Sequence, residues 1–325
     1  MKKKVLIISI ICLVVIAAIA AGIFVISPLV SEGGNTKPAV PDEGAATLTD
    51  SSVWIDKKDN TEHSVDTYTL GNTAVDVESE LPDGVAINHK SVDDVFLYEL
   101  YPKETTDPPI LFFLHGQTSR KEEYLHEMIS YAEAGYFCVT LDLQGHGERK
   151  SDEPLMSLEI TKNTASDIDL LLDYYDVSGM ADADRFAVIG FSQGGSIAYW
   201  YAVYGERTMS AMVVGSTSPD YTSPKDDECI CNDEPIKPTW SEKEIDEFID
   251  KYNPIQHADK MMQLPILSGN SIDDDVVPYQ ASESLEKILK EGGNKDIRFY
   301  YFDNAGHNVT AEFTAKIKPF IQEYL

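Results

Sequence analysis

From residue 110 to the end of the chain, short apolar runs alternate with segments of helical spacing. The runs "ILFFL", "YFCVTLDL" and "RFAVIGF" have the length of strands and are apolar at nearly every position, as strands buried on both faces are. The segments "KEEYLHEMISYAEAG" and "GGSIAYWYAVYG" that follow them have the length and apolar spacing of helices. Such strands must be covered by helices on both sides, so this alternation predicts a mostly parallel, doubly wound sheet.

The alternation continues to the C-terminus. The further strands are "MSAMVVGS", "LPILSG" and "DIRFYYF", and the further helices are "NTASDIDLLLDYYDV", "YQASESLEKILKEGG" and "TAEFTAKIKPFIQEYL". Thr164 is a candidate cap near the start of the first of these helices. Upstream, the alternating segments "TAVDVES" and "VDDVFLYELYP" within residues 53–108 are typical of antiparallel strands. The predicted fold class is therefore α/β, with antiparallel N-terminal strands.

One connection is too long for this pattern. About 45 residues separate the predicted strand that ends near Ser216 from the one that starts at Leu264. In a sheet of this kind, a large insertion at the carboxyl edge usually forms a cap over the ligand crevice. We expect a small cap at about residues 221–262. Tyr221 and Trp240 then either line the entrance or belong to the core of the cap.

The N-terminus is built like a membrane anchor. After "MKKK", the run Val5–Ile26 is apolar except for Ser9 and is long enough to span a bilayer. Ordinary signal-peptide cores are shorter, so an uncleaved anchor is favoured over a cleaved signal. The lysines should stay cytoplasmic, which would place the rest of the chain outside the cytoplasm. If the N-terminus is cleaved, the rest of the chain would be secreted. We divide the chain into an anchor or signal at 1–30, a flexible linker at 31–52 and a single α/β domain at 53–325.

Charge and cysteine content exclude several classes. The formal net charge of -29 repels phosphate backbones, so no nucleic-acid partner is expected. Four cysteines are too few for a disulfide scaffold, and Cys138 in a predicted buried strand is most simply a small apolar residue. Cys229 and Cys231 could form only a strained bridge, and one C-x-C without further ligands is weak support for a metal site. No metal or cofactor is expected.

The stretch "GFSQGG" at 190–195 contains the pattern G-x-S-x-G. Ser192 directly follows a predicted strand and directly precedes a predicted helix, which is the context of a nucleophile elbow. In such a sharp turn, Gly190 and Gly194 would provide room, and Gly195 would let the helix pack close to the strand. The alternative is a simple Gly-Ser turn between strand and helix. We favour the elbow and take Ser192 as the candidate nucleophile.

A serine nucleophile needs a base, and His307 is the candidate among seven histidines. It lies in "FDNAGHN" after the last predicted strand, where the chain order Ser, acid, His places the base. His126 is expected on a helix surface, and His115 and His146 in turns with structural roles. His257, in the cap, could be either structural or functional.

The acid should follow the predicted strand "LPILSG", where the loop reads "NSIDDDVVP". We select Asp274, just before the apolar residues that would anchor the loop. Its neighbours Asp273 and Asp275 are expected to be solvated or capping carboxylates, although either could be the acid instead. Asp220, after the preceding strand, is a further alternative for the acid.

An oxyanion hole needs two backbone N–H groups that point at one position. Gln193, the residue after the candidate nucleophile, supplies one. Gln117 is the candidate for the other, because "HGQTSRKEEY" directly follows the strand "ILFFL" and Gly116 permits a close approach. The alternative for "HG" is a plain turn.

Five stretches occur in the order expected of one superfamily: "FFLHGQTSRKEEY", "LDLQGHGER", "GFSQGG", "DDDVVP" and "AGHN". From about residue 108 to 325 the chain resembles the α/β-hydrolase fold superfamily. It is most similar to small bacterial esterases related to dienelactone hydrolases and to the catalytic domain of prolyl oligopeptidases. The resemblance implies a Ser192-Asp274-His307 triad. Dienelactone hydrolases use a cysteine where this chain has serine, and residues 31–107 are too few for the β-propeller of oligopeptidases, which disfavours peptidase activity.

These observations predict a membrane-anchored, extracytoplasmic serine esterase that acts on a small-molecule ester, with no cofactor and no protein partner. Because the base must be neutral, activity should fall as the pH drops through about 6 to 7. A thioesterase, amidase, peptidase or acyltransferase could use the same triad. A non-catalytic surface binding module and a structural wall-associated protein are the remaining alternatives.

Overall fold

The computed structural model describes residues 46–222, 229–231 and 234–325, all within one compact unit, Asp42–Leu325. The predicted span Val5–Ile26, and the predicted linker up to residue 45, lie outside the described residues. Within the described ranges, no helix has both the length and the apolar character needed to cross a membrane.

The strands of the described residues are β1 (Leu48–Ile55), β2 (Glu62–Tyr68), β3 (Val85–Val92), β4 (Val95–Pro102), β5 (Pro109–Leu114), β6 (Phe137–Leu141), β7 (Leu155–Met156), β8 (Asp182–Phe191), β9 (Ala211–Gly215), β10 (Cys229–Cys231), β11 (Glu234–Ile236), β12 (Ile266–Ser271) and β13 (Ile297–Phe302). Ten of these strands form one sheet, in the order β1-β2-β3-β4-β6-β5-β8-β9-β12-β13. Strands β1 to β4 pair antiparallel, as does β4 with β6. The six strands from β6 to β13 in this order are parallel. The predicted sheet is confirmed.

Helices cover both faces of this sheet. They are α1 (Asn72–Glu80), α2 (Leu125–Glu133), α3 (Ser157–Ser178), α4 (Gln193–Tyr204), α5 (Glu242–Tyr252), α6 (Gln280–Glu291) and α7 (Ala311–Tyr324). Strand β5 is apolar throughout because both of its faces are buried. Its Ile110, Phe112 and Leu114 belong to the core cluster beneath α3, α4 and α6. Its Leu111 and Phe113 belong to the cluster beneath α1, α2 and α7.

Three local expectations were wrong. The segment "TAVDVES" lies in helix α1, because its buried residues Ala74 and Val77 are three apart while Val75 is exposed. Helix α3 begins at Ser157, so Thr164 is a buried residue within the helix and does not cap its start. Strand β1 begins at Leu48, inside the range predicted as flexible linker.

The insertion after β9 packs on α4, the helix that follows Ser192. Strand β10 pairs with β11 and with β7 to form a separate three-stranded sheet. Helix α5 places Phe248 and Tyr252 against Trp200 of α4, with ring centroids 5.7 and 5.2 Å apart. The ring of Trp240 packs at a tilt against that of Phe248, with centroids 5.4 Å apart, and Tyr221 is buried. Both Tyr221 and Trp240 are therefore part of the packed core of the insertion.

Candidate active site

Ser192 occupies a sharp turn between β8 and α4. Its backbone has φ of +52° and ψ of -119°, a conformation that costs a non-glycine residue free energy and that clusters at functional sites. The N–H of Ser192 donates to the carbonyl of Gly215 in β9 (3.0 Å). Its own carbonyl accepts the N–H groups of Gly195 and Ser196 in the first turn of α4. The turn is thus fixed from both sides.

The glycines around Ser192 allow three backbones to meet. A Cβ placed on Gly190 would lie 2.2 Å from the carbonyl oxygen of Gly194, and one placed on Gly194 would lie 2.1 Å from that of Leu114 in β5. A Cβ on Gly195 would lie 2.5 Å from Cγ2 of Thr217. Real Cβ atoms do not approach other atoms this closely. The interpretation of these glycines from the sequence therefore agrees with the packing.

A continuous hydrogen-bonded chain joins Ser192, His307 and Asp274. His307 Nε2 lies 2.9 Å from Ser192 Oγ, and His307 Nδ1 lies 2.9 and 3.2 Å from the two carboxylate oxygens of Asp274. An ionised carboxylate only accepts hydrogen bonds, so Nδ1 carries the proton of the neutral imidazole. The Nε2 lone pair is then free to accept the hydroxyl proton of Ser192.

Asp274 is held in place by the turn that follows β12. Its Oδ1 accepts the N–H groups of Val276 and Val277, both at 2.9 Å. Its side chain is 1% exposed, whereas that of His307 is 27% exposed. The carboxylate is thus fixed and largely shielded from water, while the imidazole stays open to a substrate.

The other candidate acids lie elsewhere. The Asp273 carboxylate accepts backbone N–H groups of the loop that carries His307, and Asp275 is exposed. Asp220 accepts hydrogen bonds from Thr222 and from Asn253 of the insertion. Among the described residues, Asp274 is the acid that the structure brings to His307.

The loop after β5 presents the N–H of Gln117. His115 Nε2 accepts the N–H of Leu143 (3.2 Å), so its Nδ1–H donates to the carbonyl of Gly116 (2.8 Å). In a planar trans peptide the N–H points opposite to the carbonyl, so the N–H of Gln117 points away from His115. A Cβ placed on Gly116 would lie 3.4 Å from Cβ of Ser192. The loop therefore runs directly past the candidate nucleophile.

His115 keeps this arrangement because it stays neutral. Burial, together with the neighbouring His146, lowers the pKa of His115 to about 4. The imidazole therefore holds a single tautomer over the pH range in which His307 would act as a base. The structural role expected for His115 is thus the orientation of the peptide between Gly116 and Gln117.

Gln193 lies at the first position of α4. The first N–H groups of a helix have no acceptor within the helix, so the N–H of Gln193 remains available beside Ser192. Its side chain is fixed, because Nε2 donates to the carbonyl of Ser157 (3.1 Å) and to Oγ1 of Thr161 (2.6 Å). Helix α3 thus anchors the residue next to the candidate nucleophile.

A buried ion cluster supports the far end of the loop that carries Gln117. Lys121 Nζ lies 2.7 Å from Asp142 and from Glu148 and 3.0 Å from Glu122, and its backbone N–H also donates to Asp142. Burial alone would lower the pKa of Lys121, but the three carboxylates outweigh it and raise that pKa. No role was predicted for these residues from the sequence. The feature of the sequence that could have indicated the cluster is Asp142, a carboxylate directly after the apolar strand β6.

The remaining candidates have no part in this site. His126 is half-exposed on α2 beside Glu80, and the ring of His257 packs on Tyr204. Cys138 is a buried free thiol whose pKa is raised by burial. The side chains of residues 229 and 231 lie outside the described part of the chain.

The chain is similar in sequence to known proteins. The model of the prolyl oligopeptidase family matches residues 122–325. The chain is 25% identical over 229 residues to "Putative esterase YitV" of Bacillus subtilis, which covers 67% of this chain and 89% of the relative. It is 24% identical over 257 residues to "Esterase YjfP" of Escherichia coli, which covers 74% of this chain and 100% of the relative.

Solved structures share the fold. The acetyl xylan esterase from Paenibacillus sp. R4 superimposes with a TM-score of 0.58 and 18% identity, over 78% of this chain and 93% of that one. TT1662 from Thermus thermophilus also has a TM-score of 0.58, with 17% identity over 74% of this chain and 98% of that one. The expected resemblance is confirmed: the chain has an α/β-hydrolase fold, is a serine hydrolase and belongs to the prolyl oligopeptidase family.

Proposed function

We propose that the chain is a carboxylic ester hydrolase in which Ser192, His307 and Asp274 form the catalytic triad. The observation that carries the proposal is the hydrogen-bonded chain from Asp274 through His307 to Ser192 Oγ, with both hydrogen bonds at 2.9 Å. It ends on a serine in a strained turn at the first turn of a helix, where nucleophile elbows place the reacting hydroxyl.

In the first half of the reaction, Ser192 Oγ attacks the ester carbonyl carbon while His307 Nε2 takes the hydroxyl proton. The imidazole becomes positively charged, and the Asp274 carboxylate, which is hydrogen-bonded at Nδ1, stabilises that charge. The N–H groups of Gln117 and Gln193 bind the oxyanion. His307 then gives the proton to the leaving alcohol, and the acyl group remains on Ser192.

In the second half, water takes the place of the alcohol. His307 Nε2 removes one proton from the water, whose oxygen attacks the acyl-enzyme carbonyl carbon. The bond to Ser192 Oγ breaks, the proton returns to that oxygen, and the carboxylic acid leaves. In both halves of the reaction, His307 Nε2 is the atom that takes up and returns the proton.

The choice of esters is supported by relatives whose names describe esterases. Thioesters, amides and acyl transfer to an alcohol remain competing reactions, because the same triad can serve each of them. Peptide hydrolysis is also a competitor, since the family takes its name from a peptidase. The substrate, and not the triad, separates these functions.

The test is hydrolysis of 4-nitrophenyl esters of increasing acyl length by the full chain in detergent. The Ser192→Ala variant should lose at least about a thousandfold in kcat. Ser166→Ala, on the exposed face of α3, is the matched control and should keep wild-type activity. Thioesters, anilides and added alcohol acceptors identify the competing reactions. Equal rates for Ser192→Ala and wild type would refute the proposal.

We further propose that the protein is held at the cell membrane by residues 1–30, with the catalytic unit outside the cytoplasm. The support is the lysine-led apolar run Val5–Ile26. The protein should sediment with membranes, resist carbonate extraction and be digested by protease added to intact cells. Recovery in the soluble cytoplasmic fraction would contradict this location.

A further inference from the structure

The carboxylate next to the proposed triad acid contacts the loop of the proposed base. Asp273 Oδ1 lies 3.3 Å from the backbone N–H of Ala305 and 3.3 Å from that of Gly306. It also accepts the hydroxyl of Ser271, the last residue of β12. Ser271 Oγ itself accepts the N–H of Ala305 (3.3 Å). Two side chains of the acid loop therefore bind the two backbone N–H groups that directly precede His307.

We propose that Asp273, supported by Ser271, is a positioning residue that fixes the His307 loop relative to Asp274. This role rests on the proposed function, because it concerns the alignment of the same base. Asp273 touches neither Ser192 nor the His307 ring among the contacts of the described residues. It acts through the backbone of the His307 loop.

The loop needs such a contact because its own backbone is irregular. Between β13 and His307, Asn304 and Gly306 both have positive φ, at +63° and +55°. No helix or strand therefore fixes this part of the chain. Asp273 joins it to the end of β12, the same strand end that carries Asp274. The acid and the base are thereby held to one rigid element.

The hydrogen bonds favour the ionised form of Asp273. The Ser271 hydroxyl first, and then the N–H groups of Gly306 and Ala305, lower the pKa of the Asp273 carboxyl. A lowered pKa means that the contact persists above the ordinary carboxyl value and is lost only at lower pH. It is therefore in place throughout the range in which a histidine base works.

The chain contains its own control. Asp275 lies on the other side of Asp274 and is also exposed. Among the described residues, the hydrogen bonds to Ser271, Ala305 and Gly306 are made by Asp273 and not by Asp275. Asp273→Ala and Asp275→Ala remove the same group from the same loop at equal sequence distance from the triad acid. A general effect of negative charge near the site would appear in both variants.

The experiment compares Asp273→Ala, Asp273→Asn and Asp275→Ala in the full chain. The rate constant kcat for a 4-nitrophenyl ester is expressed per active site titrated with a phosphonate, so unfolded protein does not count. Asp273→Ala should lower kcat about tenfold and change KM less than about twofold, because a displaced base slows the chemical step more than substrate binding. Asp273→Asn keeps an oxygen acceptor for both N–H groups and should recover kcat to within about threefold. Asp275→Ala should match the wild type.

Hydrogen exchange gives a second readout that does not depend on catalysis. The amides of Ala305 and Gly306 should exchange about tenfold faster in Asp273→Ala than in Asp275→Ala. Equal kcat values and equal exchange in the two alanine variants would overturn the positioning role. If the wild type neither hydrolyses esters nor reacts with the phosphonate, the proposed function fails. Faster exchange in Asp273→Ala than in Asp275→Ala would then still support the contact between Asp273 and the His307 loop.

Discussion

Gly194→Ala should damage both the elbow and the fold around it. A Cβ at this position would lie 2.1 Å from the carbonyl oxygen of Leu114 and 2.8 Å from its Cβ, whereas ordinary contact begins near 3.4 Å. The backbones of β5 and α4 must therefore separate by more than about 1 Å. Strand β5 is central in the sheet, and the insertion packs against α4, so neither element can move freely. Overpacking of this kind costs about 1–3 kcal/mol.

The same displacement moves Ser192 relative to the base. A misplacement of about 1 Å can cost about a hundredfold in rate. We therefore expect Gly194→Ala to lose about a hundredfold in kcat for a 4-nitrophenyl ester and several degrees in Tm. Gly84→Ala is the control, because a Cβ at Gly84 meets no atom within 4 Å. A Gly194→Ala enzyme with wild-type kcat and Tm would refute the close-packing argument.

Three further predictions concern the surroundings of the site. Asp142→Ala should destabilise the protein by about 3–5 kcal/mol in urea unfolding, since it removes a partner of the buried Lys121 ammonium; a loss below about 1 kcal/mol would contradict this. Because the folded pKa of His115 is about 4 and its ordinary value is 6.5, the unfolded chain binds more protons between these values. The free energy of unfolding should therefore fall by about 3 kcal/mol as the pH drops from 6.5 to 4, and His115→Gln should remove that part of the pH dependence; an unchanged dependence in this variant would refute the assignment. Tyr221→Phe removes a 3.0 Å hydrogen bond to the Ser196 carbonyl and should cost about 1 kcal/mol in thermal unfolding; an unchanged Tm would contradict a stabilising role for this hydrogen bond.

The sheet could be predicted because its strands are apolar on both faces. The segments 110–114, 137–141 and 186–190 are buried at every position in the structure, and few other arrangements bury such runs. Helix α1 was missed because Val75 and Val77 imitate the alternation of a strand over only a few residues. The helix and the strand can be told apart here only from tertiary packing, which buries Ala74 and Val77 and exposes Val75.

The candidate site could be predicted residue by residue because each member follows a strand end of the parallel sheet. Ser192, Asp274 and His307 come after β8, β12 and β13, whose carboxyl ends lie at one edge. The choice of Asp274 over Asp273 could only be argued from spacing, since the distinction depends on where two loops meet.

The buried cluster around Lys121 was missed for a similar reason. Two of its three carboxylates come from positions 21 and 27 residues further along the chain, and no local pattern links them to Lys121. The contact between Asp273 and the His307 loop likewise joins residues more than 30 positions apart.

Whether Ser192 is the nucleophile can be measured by locating the adduct of a serine-directed fluorophosphonate with mass spectrometry of peptides. We expect one adduct per protein, on Ser192, with full loss of esterase activity. Ser192→Ala should form none, and Ser166→Ala should be labelled like the wild type. An adduct on another serine, or ester hydrolysis that survives in Ser192→Ala, would contradict the assignment of Ser192 as the nucleophile.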